Sequence, residues 1–203
     1  MLDPAAIDWR SLLASDDCLL LTGITPPLGA GPRRAMEEAL AAARVAGSVV
    51  ALDVNYRSAL WPRGDASRWL TSTLSEVDIL LAGPDDLAMV AIEGQDPLAE
   101  AVERFGLRMA LTLSKRRVDE ALDLELRVVT PDSEHRVAGR ATVIDPIGAG
   151  DALFGTFIAH LPNGDIRGAA ERGLAAAVTC VGLFGDALVD DPWDASEARG
   201  VIR

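Results

Sequence analysis

Residues 145–161, DPIGAGDALFGTFIAHL, decide the fold. A glycine-rich turn runs straight into an apolar segment that reads as a helix over 149–161. Gly148 and Gly150 allow the backbone to turn tightly and present successive N–H groups, and the start of the helix adds its positive end. Such a turn suits an anion, yet the residue at its mouth is Asp151, itself an anion. The residues alone support two readings. Asp151 is a first-turn acid, favourable at any helix start. Alternatively, a phosphoryl group occupies the turn, and Asp151 takes the proton of the hydroxyl that attacks it. A dinucleotide fingerprint fits poorly, because the third glycine of G-A-G-D-A-L-F-G comes two positions late. A phosphate loop ending in Gly-Lys is excluded, since the chain contains no such pair.

Outward from this stretch, short apolar runs alternate with amphipathic segments. The runs 18–22, 48–53, 77–82, 108–113 and 124–129 read as strands. Segments 3–14, 31–46, 65–76, 85–92, 96–105 and 165–180 read as helices. In 31–46 the apolar side holds Ala35, Met36, Ala39, Leu40, Ala43 and Ala46, between the start signal Gly31-Pro32 and the stop signal Gly47. Strands separated by such helices predict βαβ units, a mostly parallel sheet and three α/β/α layers in one domain over 1–203. The stretch 115–141 breaks the rhythm and predicts a small antiparallel excursion, with a charged surface turn at its start.

Composition narrows the function classes. Acidic residues outnumber basic ones 31 to 19, for a net charge of −12, and no basic stripe stands out, which argues against nucleic acid or an anionic membrane as partner. Lys115 is the single lysine, so any lysine-dependent chemistry falls there. No apolar run reaches the roughly 18–20 residues of a membrane span. The N-terminal residues lack a basic start followed by an apolar stretch, and a cytoplasmic protein is expected. Cys18 and Cys180 lie in apolar surroundings and read as buried free thiols. Neither His135 nor His160 has a ligand-spaced partner; His160 suits a helix C-terminus.

The stretch DPIGAGDALFGTFIA resembles the C-terminal signature D-T-x-G-A-G-D-x-F of the PfkB, or ribokinase-like, sugar kinases. ALDVNYRSALWPRGD at 51–65 is similar to the D-x-N-Y-R-x-x-L-W segment of 2-keto-3-deoxygluconate (KDG) kinases within that family. LLLTGITPPLG at 19–29 is similar to its strand-end SGI loop, and GLFGDALV at 182–189 to its PGD turn. The resemblance implies a ribokinase-type fold and transfer of the γ-phosphate of ATP, with Mg2+, to a hydroxyl of a keto-deoxy sugar acid. It implies Asp151 as base and Gly148, Ala149 and Gly150 as the anion hole. Arg57 would meet substrate or phosphate, Asn55 would lie near the nucleotide phosphates, and Asp186 would sit at the turn approaching the sugar. Read without the resemblance, Arg57 is a solvated loop arginine, Asn55 a turn former and Trp61 a packing anchor.

The chain also departs from the family pattern. It is expected to begin partway through the fold, without the Gly-Gly substrate motif and lid sheet, leaving an exposed edge and apolar patch unless an oligomer or partner supplies the lid. Gly83 stands where the family has the asparagine of N-x-x-E, and Asp86 keeps the acidic position, able to reach magnesium through water or simply to start a helix. Ser114 and Arg117 replace the glycines of a K-x-G-x-x-G turn near the nucleotide; Lys115 and Arg116 could still meet phosphates from the side chain, and Ser114 and Lys115 are the candidate cofactor-binding residues. These changes keep a second reading open, a non-catalytic remnant that binds nucleotide or sugar.

Overall fold

The computed structural model describes residues 7–90 and 95–185, and the backbone of 201–202. Two compact units divide the chain, one of 1–111 with 129–132 and the other of 112–128 with 133–203. In chain order the elements are α1 (Trp9–Leu12), β1 (Cys18–Thr22), α2 (Ala30–Ala46), β2 (Val49–Asp53), α3 (Arg63–Thr73), β3 (Ile79–Leu81), α4 (Pro84–Leu87) and α5 (Pro97–Phe105). The long strands β4 (Met109–Val118), β5 (Ala121–Val129) and β6 (Glu134–Thr142) follow, then α6 (Ala149–His160), α7 (Ile166–Val181) and β7 (Val201–Ile202). Strands lie in sequence order within the sheet.

In the first unit β1, β2, β3 and the start of β4 pair in parallel, with Leu21 opposite Leu52, Leu52 opposite Leu80 and Leu80 opposite Ala110. Successive residues of a strand face opposite sides of a sheet. Val50, Ala51 and Leu52 are all fully buried, so both faces of β2 are covered, as a parallel strand requires. Gly47 ends α2 in the left-handed region (φ 76°), its N–H donating to Ala43 O. Trp61 is buried and packs at a tilt on Trp69, ring centroids 5.6 Å apart, in its predicted role as an anchor. At the outer strand β1, Leu20 is 47% exposed.

Asp78, just ahead of β3, ties the N-terminal edge of this sheet together. Its Oδ2 accepts from Val50 N at 2.9 Å and from Arg44, and its Oδ1 pairs with Arg108 at 3.1 Å. Replacement by alanine leaves a buried strand N–H and two arginines without their acceptor. Asp78→Ala is expected to lower unfolding free energy by about 2–3 kcal/mol, measured by urea titration, with Asp78→Asn losing less. The same carboxylate adds to burial in raising the Cys18 thiol to about 11, which keeps it protonated and unreactive.

The second unit opens with the predicted antiparallel excursion, larger than the sequence implied. Adjacent strands joined by the two-residue turn Asp119-Glu120 can only be antiparallel, and Asp119 there has φ 55°. One face of β5 and β6 buries Leu124, Leu126, Val128, Val137 and Ala141. The other carries an ion-pair ladder in which Arg116 and Arg140 flank Asp123, while Arg127 and Arg136 flank Glu134. Hydrogen bonds from Arg127, then Arg136, hold the Glu134 carboxyl down at about 2. A carboxyl below its unfolded value contributes stability above about pH 4.5 and loses it as pH falls towards 2. The unfolding free energy of wild type should therefore decline from pH 5 to pH 2.5 more steeply than that of Glu134→Gln.

Helix predictions hold for α2, α3, α5, α6 and α7. Two shrink: within 3–14 the described helix is Trp9–Leu12, and within 85–92 it is Pro84–Leu87 followed by a 3-10 turn at Ala88–Val90. The charged surface turn expected from Ser114 is instead strand, and β4 continues through Ser114 and Lys115 to Val118. Ser114, Lys115, Arg116 and Arg117 are all exposed, so both faces of β4 are open to solvent there and tolerate charge.

Candidate active site

The anion turn of the second unit is assembled from the approach at 143–148. Ile144 N and Asp145 N both donate to Val181 O at the end of α7, at 2.9 and 3.1 Å. Asp145 Oδ1 then accepts from Ile147 N at 3.0 Å, closing a side-chain turn of the kind aspartate favours. Gly148 takes up φ 80°, ψ −10°, a left-handed conformation that suits glycine, and α6 begins at the next residue. The first amides of a helix have no intrahelical acceptor, and Gly148 provides no side chain to cap them. The N–H groups from Gly148 to Asp151 therefore lack an intrahelical acceptor, as an anion-binding helix start requires.

Packing fixes where this helix start sits. Ala149, Leu153, Phe154 and Phe157 are buried. Opposite them, Gly173 of α7 lets the two helices approach: a Cβ there would come within 2.8 Å of Leu153 O. Asp151 in the first turn is exposed, and a Cβ on Gly150 would meet nothing within 4 Å among the described residues. Asp151 joins no hydrogen bond or ion pair among the described residues, which leaves its carboxylate free to accept a proton.

In the first unit the carboxyl ends of three parallel strands lie in register. Gly23 N donates to Asp53 O at 2.8 Å, Val54 N to Leu81 O at 3.0 Å and Ala82 N to Leu111 O at 3.0 Å. Open α/β sheets bind ligands beyond such ends. Asn55 follows β2 with φ 39°, an uncommon backbone state for a residue other than glycine. Arg57 is exposed two residues on. Asp86 begins α4, its Oδ2 accepting from Gly83 N at 3.0 Å. Burial raises the Asp86 carboxyl, opposed by the Gly83 amide and by the Arg57 and Arg63 guanidiniums, while Asp85 adds to the rise. The helix-start reading of Asp86 is thus what its geometry displays.

The structure brings Arg57 close enough to Asp86 to act on it electrostatically, and adds Arg63, a residue absent from the sequence-derived set. Its signal was the run WPRGD, where an arginine follows the strand-end motif by a few residues. Ser114 and Lys115 stand exposed within β4 of the second unit rather than on a glycine turn. Asp186 lies outside the described residues. No group of three or more His, Cys, Asp or Glu side chains among the described residues forms a metal cage. His160 is the dipole partner expected at a helix end: its Nδ1 lies 2.8 Å from Thr156 O in the last turn of α6.

The first unit is a parallel α/β sheet, and the second carries a glycine-led helix start with Asp151 exposed in its first turn. The chain belongs to the pfkB family of carbohydrate kinases, whose model matches residues 3–193. It is 33% identical over 184 residues to a 2-dehydro-3-deoxygalactonokinase of Haloferax volcanii, covering 90% of this chain and 56% of that one. A 2-dehydro-3-deoxygluconokinase of Thermoproteus tenax is 34% identical over 179 residues, covering 87% and 52%. Among solved structures, the 2-dehydro-3-deoxygluconokinase of Thermotoga maritima superposes with a TM-score of 0.84 at 25% identity, over 94% of this chain and 61% of that one. The chain thus spans a little over half the length of the curated relatives it matches. No described helix is long and apolar enough to cross a membrane.

Proposed function

We propose that this protein is an ATP-dependent kinase of a keto-deoxy sugar acid, working as a single kinase domain in the cytoplasm. One observation carries the reading: an exposed carboxylate, Asp151, sits in the same helical turn as amides that no side chain caps, in a chain of the pfkB family. The amides at 148–150 hold the γ-phosphoryl group. A sugar hydroxyl oxygen attacks its phosphorus and forms the new P–O bond. The bond to the bridging oxygen breaks, ADP leaves with that electron pair, and Asp151 accepts the hydroxyl proton.

Arg57 supplies positive charge to the sugar carboxylate or the phosphates, which an acidic protein needs locally. Asn55 orients the phosphates, Ser114 and Lys115 meet the nucleotide from β4, and Asp186 approaches the sugar. Asp86 contributes to magnesium through water, the oxygen not bound to Gly83 being the one available. Magnesium supplies neutralisation of phosphate charge when bound.

The test is ADP release by the purified chain with ATP and magnesium, with and without 2-dehydro-3-deoxygluconate or its galactonate counterpart. Sugar-stimulated release supports the reading and identifies the preferred acid. A folded, monodisperse sample without stimulation overturns it in favour of a chain that binds nucleotide or sugar without turnover, the reading favoured by Gly83 and by Ser114 and Arg117 in place of glycines.

A further inference from the structure

We propose that Cys180 is a positioning residue for the anion turn: its thiol orients the peptide between Ile147 and Gly148 so that the Gly148 N–H stays turned towards the bound anion. The identity of that anion as a phosphoryl group rests on the function proposed above; the orientation of the peptide does not.

Cys180 is fully buried in the last turn of α7, and its Sγ donates to Ile147 O at 3.3 Å. A trans peptide is planar, so its C=O and N–H point in opposite directions. A carbonyl drawn towards Cys180 therefore sends the Gly148 N–H away from α7. The reverse orientation requires rotation about ψ of residue 147 and φ of residue 148, and glycine accepts either sign of φ. That flip would place a carbonyl oxygen where an amide had been, the wrong polarity beside an anion.

The other ties of this segment leave that peptide unguarded. Val181 O secures the amides of Ile144 and Asp145, and the Asp145 side chain secures the amide of Ile147. Among the described residues, the Cys180 thiol is the side chain from outside the turn that holds the Ile147 carbonyl. A thiol is a weak donor, but this one reaches the carbonyl from a fully buried side chain.

Two variants of the full chain separate positioning from packing. Cys180→Val keeps an apolar group of similar size and removes the donor, while Cys180→Ser keeps a donor. The first readout is the carbonyl carbon of Ile147 and the amide of Gly148 by NMR without ligand, alongside the melting temperature. The second is affinity for inorganic phosphate and ADP, followed at the amides of 148–151. In Cys180→Val both Ile147 and Gly148 signals should move, and affinity should fall roughly threefold to tenfold; Cys180→Ser should recover most of both. Unmoved Ile147 and Gly148 signals in Cys180→Val overturn the proposal, as do losses in both variants that merely track melting temperature. Were wild type to ignore phosphate and ADP, the kinase reading would fail, and the ligand-free Ile147 carbonyl signal would still decide the role of Cys180.

Discussion

Asp151→Asn is expected to reduce kcat by about 10³-fold while leaving nucleotide affinity near that of wild type. The substitution is nearly isosteric, and the side chain is exposed with no partner among the described residues, so neither packing nor an ion pair is disturbed. The amides of 149–151 remain, and with them the hold on a phosphoryl group. What disappears is an acceptor for the attacking hydroxyl's proton. The alternative reading, an acid placed to favour a helix start, makes a different forecast: a loss of about 0.3–1 kcal/mol in stability and no specific kinetic effect. Steady-state kinetics with a urea titration on the same protein distinguishes the two. Turnover equal to wild type would remove Asp151 from the chemistry.

The two readings of the opening stretch are physically compatible, which explains why sequence alone left them open. A carboxylate in the first helical turn gains from the positive end of the helix whether or not it acts as a base. The spacing of two glycines ahead of an apolar helix fits both, and it was the resemblance to the pfkB signature that favoured the base. Strand β2 was legible, because the short apolar run Val49–Leu52 after Gly47 has few alternatives to a central parallel strand.

Other parts of the site depend on contacts that no local pattern encodes. The grip of Val181 O on Ile144 and Asp145 is made by backbone atoms, which any residues would offer. Asp78 lay unremarked inside the predicted strand 77–82, since its partners Arg44, Val50 and Arg108 lie far along the chain in either direction. Ser114 and Lys115 read as turn because Ser114, Lys115, Arg116 and Arg117 are successive polar residues with no period-two alternation to mark a strand. In β4 and β5 the exposed charges pair across strands, as Arg116 does with Asp123 at 2.9 Å, and paired charge is compatible with a solvated sheet face. Asp86 shows the reverse case: both readings of its position were foreseen, and its cap bond to Gly83 N displays one of them.

Gly23→Ala should be the most damaging single methyl group in the first unit, lowering its unfolding free energy by about 3 kcal/mol or more. The reason is proximity rather than backbone freedom. A Cβ at residue 23 would stand 2.0 Å from Val54 O and 3.1 Å from Val54 C. Both are backbone atoms, so no side-chain rotation relieves the overlap. Relief requires β1 and the end of β2 to separate, and that strains the bond from Gly23 N to Asp53 O. It also pulls Val54 from Leu81 O, one strand further into the sheet. The displaced segment leads directly to Asn55 and Arg57, so damage at Gly23 reaches the proposed ligand edge as well as the core. Hydrogen exchange at the amides of β1 and β2 should accelerate, together with a lower midpoint in urea. Wild-type protection in Gly23→Ala would mean that the strand ends part easily, and the glycine of TGI would then need a reason other than close approach.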